Sequence, residues 1–186
     1  MRVRFSASLI LVPLLLASCE GKKAVPESSS PPSPAARGIP ILAVKERMKA
    51  PDIQGASLDG SAWNLADHRG KVVLVDFWAT WCGPCRRTIP NLIELQNRYG
   101  ARGLQVVGIS MDRGGPGSVN PFVRQMGINY PILLDENATF ARLFGGVQAI
   151  PAVFLIDRTG RIAATKVGAG PKEILDQTVE TLLVEG

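Results

Sequence analysis

Apolar and polar positions change rhythm several times after residue 50, and each change marks an element. Asp59-Gly60 separates residues 54–58 from 61–65, which predicts an N-terminal β-hairpin with a tight turn. Residues 71–78 are almost continuously apolar, broken by Asp76, and suit a central strand buried on both faces. After Trp81 the period becomes helical. Cys85, Ile89, Leu92, Ile93, Gln96 and Tyr99 fall on one stripe that Gly100 ends. Pro84 sits in the first turn of that helix, and Pro90 lies inside it as a kink. A second apolar strand follows at 104–110, then a glycine-rich loop at 113–117, with Ser118 as the cap of a short helix to Met126.

Residues 130–134 read as a strand and 138–144 as a short helix stopped by Gly145-Gly146. Residues 152–157 and 161–167 flank the turn Arg158-Thr159-Gly160 as an antiparallel pair. Pro171 opens a last helix with Ile174, Leu175, Thr178, Val179 and Leu182 as its apolar face. The order β-α-β-α-β-α-β-β-α implies an α/β fold, a mixed central β-sheet flanked by helices. Folds of this kind carry functional loops at the carboxyl ends of their strands. Trp81-Cys82-Gly83-Pro84-Cys85 lies at such an end.

The chain start follows different rules. Arg2 and Arg4 precede an apolar run from Phe5 to Ala17, and Ser18 and Cys19 close it, the layout of a secretory signal. The run is shorter than the ~20 residues of a membrane span. Leu16-Ala17-Ser18-Cys19 resembles the lipobox of bacterial lipoproteins, whose cysteine is acylated and becomes the first residue. The alternative is an ordinary cleaved signal with Cys19 incidental. Residues 1–18 are therefore read as a lipoprotein signal peptide. Residues 19–44, with Ser28-Ser29-Ser30-Pro31-Pro32-Ser33-Pro34 at their centre, are read as a flexible tether, and 45–186 as the folded domain.

With 46% apolar residues the chain has enough to bury a core without disulfide staples. Three cysteines make an odd number, and lipidation of Cys19 leaves Cys82 and Cys85 as a pair. The formal charge of +5 includes Arg2 and Arg4, and the basic residues are dispersed, which speaks against nucleic-acid binding.

Two cysteines three apart, at a strand end and opening a helix, have a chemical logic. Cys82 at the helix N-terminus meets exposed N–H groups and partial positive charge, which favour its thiolate. Cys85, one turn in, is the more buried. Cys82 is then the attacking thiol, and Cys85 resolves the mixed disulfide. The alternatives are a structural disulfide, a metal pair and inert buried thiols. Zinc would want four ligands, and His68 is the sole histidine. Asp76 in an apolar strand is expected to be buried, with a raised pKa, and to exchange a proton with Cys85. An aspartate at a solvated strand rim is the other reading. Trp81 reads as a flat contact surface beside Cys82, while Trp78, Met111 and Met126 read as core, and Arg86, Arg87 and His68 as residues without a catalytic part.

Residues 76–85 resemble the active-site segment of thioredoxins, Pro90 matches that family's helix proline, and Ile150-Pro151 resembles its cis-proline loop. The longer pattern is similar to the membrane-tethered TlpA/ResA branch. It includes Ala50-Pro51-Asp52, residues 65–70, an inserted helix–strand around 118–134, Phe154-Leu155-Ile156-Asp157 and Gly160-Arg161. The resemblance covers about 48–186. It implies a thioredoxin fold with an N-terminal β-hairpin and a central helix–strand insertion. It also implies a cis Pro151 that brings the Ile150 backbone beside the sulfurs, with Trp81, Gly83 and Pro84 completing the substrate contact. Many members of that branch carry asparagine in place of Asp76 and an acidic residue in place of Thr88, so this chain follows the thioredoxin-like arrangement. The expected activity is thiol–disulfide exchange with protein substrates, apocytochrome c among the candidates. No diffusible cofactor and no metal are expected. A membrane electron donor and an extracytoplasmic, membrane-anchored location complete the reading. A thiol peroxidase of the same fold and a metallochaperone or thiol-binding module stand as the competing functions.

Overall fold

The computed structural model describes residues 39–185. The signal-like segment, Cys19 and most of the tether lie outside them. Strands β1 (Gln54–Ala56) and β2 (Ala62–Asn64) form the expected hairpin, with Gly60 at φ +86° in its turn. There the Asp59 carboxylate accepts from the Ser61 backbone N–H at 2.9 Å. The main sheet has five strands in the order β5-β4-β3-β6-β7. Its centre is β3 (Val72–Trp78), all seven residues buried. It runs parallel to β4 (Leu104–Ser110), and β4 runs parallel to β5 (Ile132–Leu134). On its other side β6 (Ala152–Ile156) and β7 (Ile162–Val167) continue the sheet antiparallel. The mixed sheet of the thioredoxin fold is thus present.

Alternation along β3 sends its side chains into two separate cores. Val72, Leu74 and Trp78 pack with helices α1 (Gly83–Tyr99), α2 (Gly115–Met126) and α4 (Lys172–Val184). Val73, Val75 and Phe77 pack on the other face with Trp63 of the hairpin, Ala141 of α3 (Thr139–Leu143), and Phe144. Phe77, Phe144 and Phe154 meet there with ring centroids 4.7–5.8 Å apart. Continuous burial of β3 explains why its sequence lacks the polar alternation of a half-exposed strand.

Local differences from the sequence reading have identifiable causes. Helix α1 ends at Gly100 as expected, although this C-cap keeps right-handed angles, φ −54° and ψ −49°. A 3-10 turn over Gly100–Arg102 follows, and Gly103 at φ +102° makes the reversal, a conformation glycine adopts without steric cost. Helix α2 begins at Gly115 rather than at a Ser118 cap. Pro116 sits in its first turn, and the Ser118 hydroxyl donates to the Gly115 carbonyl from inside the helix. Pairing on β5 starts at Ile132, two residues after the expected Tyr130. Residues 39–44, read as tether, lie on the domain. The Ile39 N–H donates to Thr178 Oγ1 at 2.9 Å and the Leu42 N–H to the Ala163 carbonyl at 2.8 Å. The Pro/Ser composition upstream hides this apolar anchor.

Just beyond, Arg47 is buried and its guanidinium bonds Asp157 at 3.0 Å, Glu185 at 2.8 Å and the Leu42 carbonyl at 3.0 Å. Removing it leaves Asp157 buried without its charge partner. Arg47→Ala is expected to lower unfolding stability by about 3 kcal/mol, in line with the loss of one partner of a buried pair. Urea titration of the oxidised protein checks this, and an unchanged midpoint would mean that the segment is not held.

Candidate active site

The loop that leaves β3 is pinned before it reaches the cysteines. The Thr80 backbone N–H donates to Asp112 at 2.9 Å and its hydroxyl donates to the same carboxylate, which also accepts from Ser110 Oγ at 2.8 Å. Asp112 is buried just past the end of β4. Sequence reasoning missed it. The available signal was an acidic residue directly after a parallel strand, at the edge that carries function.

Cys82 is the N-cap of α1 and its Sγ accepts from the Cys85 backbone N–H at 3.2 Å. The two cysteines form a disulfide. Cys82 keeps 5% exposure and Cys85 none, so an approaching group reaches Cys82. Gly83 and Pro84 are exposed on the first turn, and Trp81 stands 71% exposed beside them. The helix N-terminus and the aimed N–H stabilise negative charge on Cys82 when the bond is open.

The Ile150-Pro151 peptide is cis. Cys82 Sγ lies 3.8 Å from the Ile150 carbonyl oxygen, within reach of a thiol donor once the pair is reduced. Pro151 is buried and its carbonyl accepts from the Gly168 N–H at 2.8 Å, which ties this loop to the end of β7. Trp81 and Ile150 line a groove of about 1010 Å³ together with Arg113, Ser118, Glu136 and Arg142. The groove gives a chain segment a place to lie beside Cys82.

Asp76 is fully buried and does not sit at a solvated rim. It faces the α1 side between Leu74 and Trp78, and neither oxygen has a hydrogen-bond partner among the described residues. Burial alone pushes its carboxyl up to about 7. Thr88 supplies no acid and donates its hydroxyl to the Cys85 carbonyl at 2.9 Å. Arg86 and Arg87 are exposed, with the Arg86 guanidinium 5.5 Å above the Phe122 ring. His68 is stacked on Trp63 at 5.0 Å in the hairpin's core face, where burial lowers its pKa, and it takes no part in the cysteine site. Among the described residues, no group of three or more His, Cys, Asp or Glu side chains gathers where a metal could bind.

A five-stranded mixed sheet with a cysteine pair opening α1, facing a cis-proline loop, defines a thioredoxin-like protein. The chain belongs to the Redoxin family, whose pattern matches residues 45–183, and within it to the TlpA/ResA type. It is 34% identical over 134 residues to the thiol-disulfide oxidoreductase ResA of Geobacillus thermodenitrificans, covering 72% of this chain and 75% of that protein. It is 31% identical over 141 residues to the thioredoxin-like protein YneN of Bacillus subtilis, covering 75% of this chain and 81% of YneN. Among solved structures it resembles a thioredoxin-family thiol:disulfide interchange protein of Chlorobium tepidum. The TM-score there is 0.69 at 32% identity, covering 76% of this chain and 99% of that one. It also resembles a DsbF homologue of Corynebacterium diphtheriae, with a TM-score of 0.72 at 28% identity, covering 81% and 96%. The chain is a thiol–disulfide oxidoreductase of thioredoxin-like type.

The buried carboxyl has a thermodynamic signature. An unfolded aspartate ionises near pH ~4, whereas Asp76 in the fold holds its proton up to about 7. Between those values the folded chain binds one more proton than the unfolded chain, so stability falls as pH rises and levels off above neutrality. The contribution lost is on the order of 4 kcal/mol. Asp76→Asn is expected to be more stable than the parent at about pH 8, with a flatter dependence below neutrality. Urea midpoints across that range decide it, and identical slopes in the two proteins would assign the proton elsewhere.

Proposed function

We propose that the chain is an exported, membrane-anchored reductase of protein disulfides, acting through Cys82 and Cys85 with no diffusible cofactor. The observation that carries the exchange chemistry is the vertical arrangement of the site, while export and anchoring rest on the signal-like start of the chain. A barely exposed sulfur at a helix N-terminus is joined to a fully buried partner sulfur, with a buried carboxyl of near-neutral pKa on the same side of the sheet.

In the reduced protein the Cys82 thiolate attacks one sulfur of the substrate disulfide, and the other substrate sulfur leaves as a thiolate and takes a proton. Cys82 is then joined to the substrate. Asp76 accepts the proton of Cys85, the Cys85 thiolate attacks Cys82 Sγ, and the second substrate sulfur leaves as a thiolate that takes a proton from solvent, to which Asp76 returns its own. The protein ends with the Cys82–Cys85 disulfide, and the substrate has gained two electrons and two protons. An extended substrate segment lies along Trp81, Gly83, Pro84 and the Ile150-Pro151 backbone, using main-chain pairing at Ile150. Apocytochrome c, with its paired cysteines, is one fitting substrate. A membrane electron donor restores the dithiol, and acylation of Cys19 holds the domain at the extracytoplasmic face.

Cys85→Ala is expected to accumulate mixed disulfides with partner proteins on Cys82, whereas Cys82→Ala traps few. Non-reducing gels after acid quench read this, and the opposite pattern would swap the two roles. The direction is tested by the reduction potential of the pair. A value near or below about −270 mV supports a reductase, and one near −120 mV would make the protein a disulfide donor.

A further inference from the structure

Four buried polar atoms on the α1 side of the sheet have no hydrogen-bond partner among the described residues: both Asp76 oxygens, Trp78 Nε1 and Tyr130 Oη. Buried polar groups are normally satisfied, so a cluster of such atoms in one place requires an explanation. Their character is complementary. Asp76 offers acceptors, the indole offers an N–H, and the phenol offers an O–H.

Register brings them together. Cross-strand neighbours share a face, so one row of the sheet reads Ile132, Gly108, Asp76, Val153, Lys166. Trp78 follows Asp76 by two residues and points the same way. Its ring turns over Gly108, where an added Cβ would lie 2.8 Å from Trp78 Nε1 and 2.5 Å from Ile132 Cδ1. Gly108 is the residue directly beside Asp76 on β4, so its missing side chain is what lets the indole nitrogen reach that row. Tyr130 is buried in the same apolar cluster, two residues before Ile132. Its phenol is held well above its ordinary range by burial and, second, by the charge of Asp76, which places the two groups within electrostatic reach.

We propose that Trp78 and Tyr130 are positioning residues that hold the Asp76 carboxylate with two neutral donors in place of a cation. One water that accepts from the indole and the phenol and donates twice to Asp76 satisfies all four atoms at once. Neutral donors favour the ionised carboxylate without neutralising it, so Asp76 stays basic enough to take the Cys85 proton. The other titratable groups on this side are Cys82 at the start of α1, Cys85 and Tyr99 on α1, and Lys166 on β7, with the Tyr99 hydroxyl committed to Glu180 at 2.8 Å. Val153 separates Lys166 from Asp76, and the Lys166 ammonium donates to the Gly168 carbonyl. The buried residues of α2 and α4 that pack in this core carry no charge.

The inference rests on the proposed role of Asp76 and deepens it. The full chain, reduced in detergent and labelled with 13C at aspartate carboxyls, gives the Asp76 titration directly, with Asp76→Asn identifying the signal. Trp78→Phe and Tyr130→Phe are each expected to raise its midpoint by about one pH unit, because the water that donates to the carboxylate loses one of the two donors that hold it. The pH profile for release of a small thiol from a Cys82 mixed disulfide should move by the same amount. Benzothienylalanine at position 78 keeps the ring shape and removes the N–H, so the test survives if Trp78→Phe fails to fold. Midpoints that stay put or fall in these variants overturn the proposal. A different result, thiol release by Asp76→Asn as fast as the parent at every pH, would sink the proton-acceptor role itself, while the carboxyl titration would still report on the donors.

Discussion

An ionisable group in a strand with no solvent on either face constrains everything built around it. Seven consecutive buried residues make β3 the seam between two cores, and Asp76 is the polar interruption in that seam. Nothing in the described structure offers it a charged partner. Ionised, it opposes folding, and neutral, it is tolerated. The fold therefore carries a standing cost at this one position of β3. The large apolar contacts on both faces, from Trp78 and Tyr99 to the Phe77–Phe144–Phe154 group, are what allow the sheet to bear it.

The cysteine pair depends on a separate set of constraints, which are directional. Thr80 and Ser110 both donate to Asp112, so the carboxyl ends of β3 and β4 are tied across their loops. That fixes where α1 starts, and the start of α1 fixes the N–H that meets Cys82 Sγ. The opposite wall comes from the Ile150-Pro151 loop, tied through Gly168 to β7. Three separate strand ends thus converge on two sulfurs.

Much of this was legible in the sequence because it is written in local pattern. The apolar run of β3, the helical stripe from Cys85, the Asp59-Gly60 turn and the cysteine spacing are short-range features, and each appears where the pattern puts it. Asp76 was legible for the complementary reason, as a charge out of place in an apolar run. What stayed hidden depends on contacts distant along the chain. Asp112 acts on Thr80 from 32 residues away. Ile39 docks on Thr178 across 139 residues, so a Pro/Ser-rich neighbourhood disguised it as tether. Gly100 caps α1 as its pattern suggests, but the extra 3-10 turn that puts the left-handed reversal at Gly103 has no signal short of backbone angles. Trp78 read as plain core, and its indole N–H gained meaning only when β4 set Gly108 beside Asp76.

The Arg47 contacts also bear on how the domain comes apart. Arg47 stands near the beginning of the described residues, and Glu185 and Asp157 receive its guanidinium from the far end of them and from the β6–β7 turn. The two ends of the domain are closed on each other like a clasp, so neither can peel away by itself. Fraying, which usually starts at a free terminus, here has to open α4, the β7 turn and the leading segment together. Cleavage that needs an unfolded stretch beside Arg47 or Glu185 has to wait for that joint opening.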